Sequence, residues 1–278
     1  MKRYFISFYV IVIVFLIVAS IWDLSLSYWI YSGENVAIRL LSETVYLPSF
    51  FIGFFGVVHF LNRSIHIEHK TWRIGVQAVL FVLFVLLSYM FVQSMRFLPY
   101  HLIASPLLIV ALNVLAMRIH KDCKVCDSKT MDILCASGIS IIGFLYVFIT
   151  FLKRLIGRAR PYMVYENEAL FTQWYAPQSG FASSRDFYSF PSGHMAFAGI
   201  AFWFILLVFV IPKFHKFRLV TFLGISLFAL TQGLIRVYLG EHFLSDVIGS
   251  TLIGMSALLV IYWMYKALYD YVVKMLVR

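Results

Sequence analysis

Eight long, predominantly apolar runs punctuate the chain, at about residues 4–22, 44–62, 74–95, 101–118, 132–152, 195–212, 219–236 and 247–266. A bilayer's hydrocarbon core takes about 20 helical residues to cross. Inside it there is no water to satisfy free backbone groups, so only helices or closed barrels span it. Runs of this length predict one fold class: all-α, a polytopic membrane helical bundle of about eight transmembrane helices. Composition agrees, with 62% hydrophobic and 13% charged residues in 278 and a mean hydropathy of +0.87, where a soluble domain carries about 25% charged residues. The first run, in "MKRYFISFYVIVIVFLIVASIW", is longer than a signal peptide's 7–15-residue apolar core and reads as a first spanning helix.

The net charge of +10 does not point to nucleic acid, because the basic residues sit in short segments between apolar runs. Lys2 and Arg3, then Arg63, Lys70 and Arg73, then Arg118, Lys121, Lys124 and Lys129, then Lys213, Lys216 and Arg218, and finally Lys266, Lys274 and Arg278 all fall on one side of an eight-span chain. The positive-inside rule makes that side, with both termini, cytoplasmic. The other side receives the 23–43 loop, a tight 96–100 turn marked by Arg96 and Pro99, the 153–194 segment and the 237–246 turn. One stretch there runs against the rule. "KRLIGRARP" carries Lys153, Arg154, Arg158 and Arg160, an arrangement expected if cations are held outside for an anion. Cys123 and Cys126 form a CxxC in a cytoplasmic loop and Cys135 lies in a span. With no second ligand pair, these read as reduced thiols rather than a zinc or redox site.

Three polar clusters converge on the outward ends of the last four helices: Lys153 with Arg160-Pro161, Pro191-Ser192-Gly193-His194, and Arg236 with His242 and Asp246. Singly, each has an ordinary reading as a snorkelling cation or a helix cap. Together they supply one chemistry. Lys153, Arg160 and Arg236 are three cations, and guanidinium forks match phosphate oxygens. Ser192 and Gly193 open a helix whose bare amides and dipole favour an anion. This phosphate cradle requires no metal ligands. His242 and Asp246 are four apart and share a helix face, so the carboxylate is expected to fix one ring nitrogen and free the other for attack. His194 then becomes the acid that protonates the departing alkoxide.

The three clusters resemble the motifs of the type-2 phosphatidic acid phosphatase (PAP2) superfamily, K-x6-RP, PSGH and SR-x5-H-x3-D. The one departure is Ile235, where the family has a serine that helps hold the phosphate; Ser192 or Thr231 are the candidates to replace its hydrogen bond. The resemblance covers about 132–266. It implies a catalytic core over 132–278 with an extracytoplasmic active site, and residues 1–118 as additional transmembrane helices partly completing the bundle. It also implies a metal-independent phosphoric ester hydrolase without cofactor. Such an enzyme acts on a membrane lipid phosphate in the bilayer through a phosphohistidine. Catalytic roles fall to His194, His242 and Asp246, and phosphate binding to Lys153, Arg160, Ser192, Gly193 and Arg236. The motifs read phosphate alone, which leaves phosphatidic acid, phosphatidylglycerol phosphate, undecaprenyl diphosphate and lipid A open. A lipid phosphotransferase and a non-enzymatic lipid-phosphate transporter are the alternatives.

Between the first two motifs, residues 162–190 are rich in aromatics, among them Tyr162, Tyr165, Phe171, Trp174, Tyr175, Phe181 and Phe190. The segment reads either as a lid that admits a headgroup or as a loop resting at headgroup depth. Glu166 and Glu168 would then limit which headgroups approach, and Arg185 would add a phosphate contact.

Overall fold

The computed structural model describes residues 2–33, 35–95, 101–123, 128–176 and 181–276, and among them there is no strand. The helices are α1 (Lys2–Ile30), α2 (Val36–Glu43), α3 (Leu47–Ser64), α4 (Lys70–Ser94), α5 (His101–Asp122), α6 (Ser128–Ile156), α7 (Pro161–Glu166), α8 (Gly193–Ile200), α9 (Trp203–Val210), α10 (Arg218–Tyr238) and α11 (Leu244–Leu276). Eight segments of the described chain are long and apolar enough to cross a membrane: Tyr9–Ile30, Val36–Ser64, Lys70–Ser94, His101–Lys121, Ser128–Glu166, Gly193–Val210, Pro212–Tyr238 and Leu244–Tyr271. The expected turn at Arg96 and Pro99, Lys124 and Cys126 of the CxxC, and Arg278 lie outside the described residues.

The main difference from the sequence expectation is at 23–43, expected as a loop. Hydropathy falls at Asp23, but the helix does not stop there: α1 is interrupted only at Trp22 (φ −108°, ψ 15°) and runs on to Ile30. A second helix then starts at Val36, where the Asn35 side chain accepts the Ile38 amide at 3.1 Å, satisfying one of the free donors of the first turn. Helices end where caps and partners end them, whereas hydropathy reports only where apolar residues end.

The chain divides into two compact units. One comprises Met1–Val45, Gly143–Ile200 and Leu223–Ala257; the other comprises Tyr46–Ile142, Ala201–Phe222 and Leu258–Arg278. The second has an aromatic core. Phe50, Phe54 and Val57 of α3 pack with Leu87 and Phe91 of α4, and Phe50 meets Phe91 edge-on at 4.8 Å. Trp203 is fully buried and its indole N–H donates to the Leu134 carbonyl at 3.0 Å, as a buried indole requires. The main buried polar group there is His59, set between Asp132 at 2.7 Å and His120 at 3.1 Å.

The first unit contains all three sequence clusters. Within it α8 and α11 approach closely, since a Cβ at Gly254 would overlap the Ala196 carbonyl and one at Gly199 would lie 2.8 Å from the Thr251 carbonyl. Only glycine permits this backbone contact, and it packs α8, which opens on the PSGH motif, against the second and third turns of α11.

Candidate active site

Helix ends position the cations. Lys153 lies in the last turn of α6, and Gly157 (φ 61°) follows that helix with its amide on the Lys153 carbonyl at 3.1 Å. Arg236 lies in the last turn of α10, which is ended by Gly240 (φ 67°). Both glycines adopt the left-handed conformation that closes a helix, and a cation in the last turn complements the dipole there. Arg160 is the residue before α7, whose Pro161 occupies the first turn.

The PSGH cluster forms a helix start. Ser192 precedes α8, its carbonyl accepting the Ala196 amide at 3.0 Å and its hydroxyl lying 3.4 Å from the Met195 amide. Its own amide donates to Ser250 Oγ at 2.5 Å. The amides of Gly193 and His194 begin the helix and have no acceptor within it. A Cβ at 193 would stand 3.6 Å from Lys153 Nζ, so glycine leaves open the space between those amides and the ammonium group.

The expected direct bond between His242 and Asp246 is not formed. His242 Nδ1 is 3.9 Å from Asp246 Oδ2 and instead donates to the Ser189 carbonyl at 2.7 Å. Asp246 acts one step removed: its Oδ2 accepts the Ser189 hydroxyl at 2.5 Å and the Phe243 amide at 2.9 Å. The reason is local. Asp246 is in the first turn of α11, where a carboxylate reaches back to the amide just before the helix, and this directs it away from the imidazole. The tautomer is nonetheless fixed, with Nδ1 protonated and Nε2 left as the free nitrogen. Burial first, then the charges of Arg236, Arg160 and Lys153, hold the His242 imidazole well below the usual histidine range, so it is neutral at neutral pH.

Several of the residues that complete this region were not singled out from the sequence. Arg158, read as one of four outward cations, is instead buried, with a relative exposure of 1%. It donates to Asp246 at 2.5 Å, Asp23 at 2.9 Å, Ser245 at 2.9 Å and the Thr172 carbonyl at 2.8 Å, and lies 4.3 Å over the Phe243 ring. Asp23 also accepts the Ser245 amide at 2.9 Å, capping α11 from α1. Glu241 sits among three guanidinium groups: Arg160 at 3.0 Å, Arg39 at 3.5 Å, and Arg236 in closer contact still. Burial alone would raise its carboxyl, but Arg236 and Arg160 outweigh that and hold it below the usual carboxylate range. Arg39, Ser42 and Glu43 of α2 share one face. Ser42 Oγ is 3.4 Å from Arg236 Nη1 and Glu43 Oε1 is 3.3 Å from His194 Nε2. The signal was present in the sequence as Asn35, a helix-start residue, followed by Arg39 and Glu43 four apart.

The hydroxyl beside Arg236 is therefore that of Ser42. Thr231 is exposed on α10, and Ser192 is engaged at the start of α8. Arg185 is exposed and contributes its carbonyl to Arg160 Nε at 3.1 Å. The aromatic segment is packed against α1 rather than lying free: Trp174 donates to Ser20 at 2.8 Å, Tyr165 lies 4.7 Å from both Tyr28 and Tyr31, and Glu168 accepts from Tyr28 at 3.0 Å. Asp186, which accepts from Tyr162 at 2.5 Å and Ser184 at 2.7 Å, has its carboxyl held low by those two bonds. Among the described residues no three His, Cys, Asp or Glu side chains gather as metal ligands. Cys123 and Cys135 are buried and in no disulfide.

The helices describe a multi-pass membrane protein, and the three sequence clusters lie in the unit formed by three chain segments. Residues 134–270 match the family model of the PAP2 superfamily, in agreement with the resemblance carried by the three motifs. Members of that superfamily are generally phosphatases, the activity that the match suggests here. No curated protein and no solved structure matches the chain.

Proposed function

We propose that the protein is a lipid phosphate phosphatase working through a phosphohistidine on His242. The observation that carries this reading is the His242 ring. Nδ1–H is committed to the Ser189 carbonyl at 2.7 Å, which leaves Nε2 its lone pair, and the charges of Arg236, Arg160 and Lys153 act on the same imidazole. Nε2 attacks phosphorus, the bond to the ester oxygen breaks with its electron pair passing to that oxygen, and His194 gives the oxygen a proton. Lys153, Arg160, Arg236 and the first amides of α8 stabilise the charge on the transferring group. Water then attacks phosphorus and passes a proton to His194, and the P–N bond returns its pair to Nε2. Asp246 supports this at one remove, by holding Ser189 and the turn before α11.

In this reading the substrate is a phosphomonoester or diphosphate lipid, the loop charges put the site on the extracytoplasmic side and the termini inside, and residues 1–118 are additional membrane helices beside the catalytic core. The test is phosphate release by the purified protein across a panel of lipid phosphates, with EDTA present. Release is expected to be inhibited by vanadate and to fall at least about a thousandfold in His242→Ala. Undiminished release by that variant sinks the mechanism. Label passing into lipid rather than free phosphate would make the protein a phosphotransferase, and binding without turnover a transporter.

A further inference from the structure

We propose that Glu43, on α2 and outside the PAP2-matching part of the chain, is a positioning residue that orients His194 and raises its affinity for the proton it donates. The role it serves rests on the phosphatase reading; the pairing itself does not.

A general acid must carry its proton before the bond breaks. The charges that act on His194 come from several elements: Arg236 on α10, Lys153 on α6, Arg160 before α7, and Glu241 on the turn after α10. Burial above all, and then the three cations, oppose an imidazolium at this place. Glu241 is engaged by Arg39, Arg160 and Arg236. Glu43 is the carboxylate in contact with the ring, its Oε1 3.3 Å from His194 Nε2, with side-chain exposures of 14% and 16% for the two groups. A carboxylate this close to an imidazole, largely out of water, favours its charged form.

The contact is built in, because α2 is fastened on both sides of Glu43. Gln232 of α10 donates to the Leu41 carbonyl at 3.2 Å and to Thr44 Oγ1 at 2.9 Å, and Arg39 and Ser42 reach Glu241 and Arg236. With Nε2–H donated to Glu43, Nδ1–H is the proton His194 delivers to the leaving oxygen. In the second step the same nitrogen takes a proton from water. Glu43 stays ionised throughout and gains or loses no proton.

The test is a ring-nitrogen NMR titration of the full-length protein in micelles with 15N-labelled histidine, the His194 signal being assigned from His194→Gln. Glu43→Gln is expected to lower the His194 midpoint by about one pH unit, and Glu43→Asp by less. In the active protein the alkaline limb of kcat/KM should move down with it. An unchanged or raised midpoint in Glu43→Gln overturns the inference; if that variant does not fold, an unchanged midpoint in Glu43→Asp does so. Failure of the two proposals is distinguishable. An unmoved midpoint alongside phosphate release lost in His242→Ala removes Glu43 and keeps the phosphatase. A lowered midpoint in a protein that releases no phosphate keeps the pairing and removes the phosphatase.

Discussion

Two charge clusters in the same unit have opposite designs. In one, a single guanidinium, Arg158, lies between two carboxylates, Asp23 and Asp246, and each of its three nitrogens has an acceptor. In the other, a single carboxylate, Glu241, lies among three guanidinium groups, Arg39, Arg160 and Arg236. The first is closed: all three side chains are buried and every guanidinium nitrogen has an acceptor, so it holds elements together, here α1 and the start of α11. The second has an excess of cation over anion, so a further anion can enter it. The sign of the net charge and the burial, rather than the presence of arginine, distinguish the two clusters.

The largest expected effect breaks the closed cluster. Arg158→Ala leaves two carboxylates buried without a cation, and breaking such a pair costs about 3–5 kcal/mol. Unfolding in detergent should show the loss, and Arg158→Lys should not restore it, because an ammonium group lacks the guanidinium fork. A variant as stable as wild type would mean that the two clusters do not differ as argued.

A smaller effect sharpens the comparison in the open cluster. A phosphate entering there competes with the Glu241 carboxylate for Arg160 and Arg236. Glu241→Gln should therefore tighten inhibition by inorganic phosphate about tenfold, equivalent to about 1.4 kcal/mol. Weaker inhibition would mean that Glu241 instead holds the guanidinium groups in place.

The smallest effect is in pH. The Glu241 carboxyl is held below the usual range, so its contribution to stability is fully present above the unfolded value of about 4.3. That contribution is lost as pH falls through the lower folded value. The melting-temperature difference between wild type and Glu241→Gln should thus be constant at neutral pH and shrink only below about pH 4. A difference that fades near pH 6 would contradict the assignment.

Much of this was legible in the chain. Eight apolar runs correspond to eight membrane-length segments because burial in lipid is read from composition and length. The spacing of Lys153, Arg160, Arg236, His242 and Asp246 placed them at helix ends, since an α-helix fixes which residues share a turn. What spacing could not show was which partner each would take. Arg154, Arg158 and Arg160 look alike in sequence, yet Arg158 alone turns inward to two aspartates. The separation of His242 and Asp246 predicts a pairing, but the amide before α11 competes for the same carboxylate and the Ser189 carbonyl takes the ring.

By itself the sequence determined the class of fold, the family and the residues available for phosphate chemistry, because those depend on local periodicity and on motifs of short sequence span. Only the tertiary structure decided that Asp23, Arg39, Ser42 and Glu43 join them. Their contacts cross more than a hundred residues of chain, and a hydrogen bond of that reach depends on how helices pack, which no local pattern encodes.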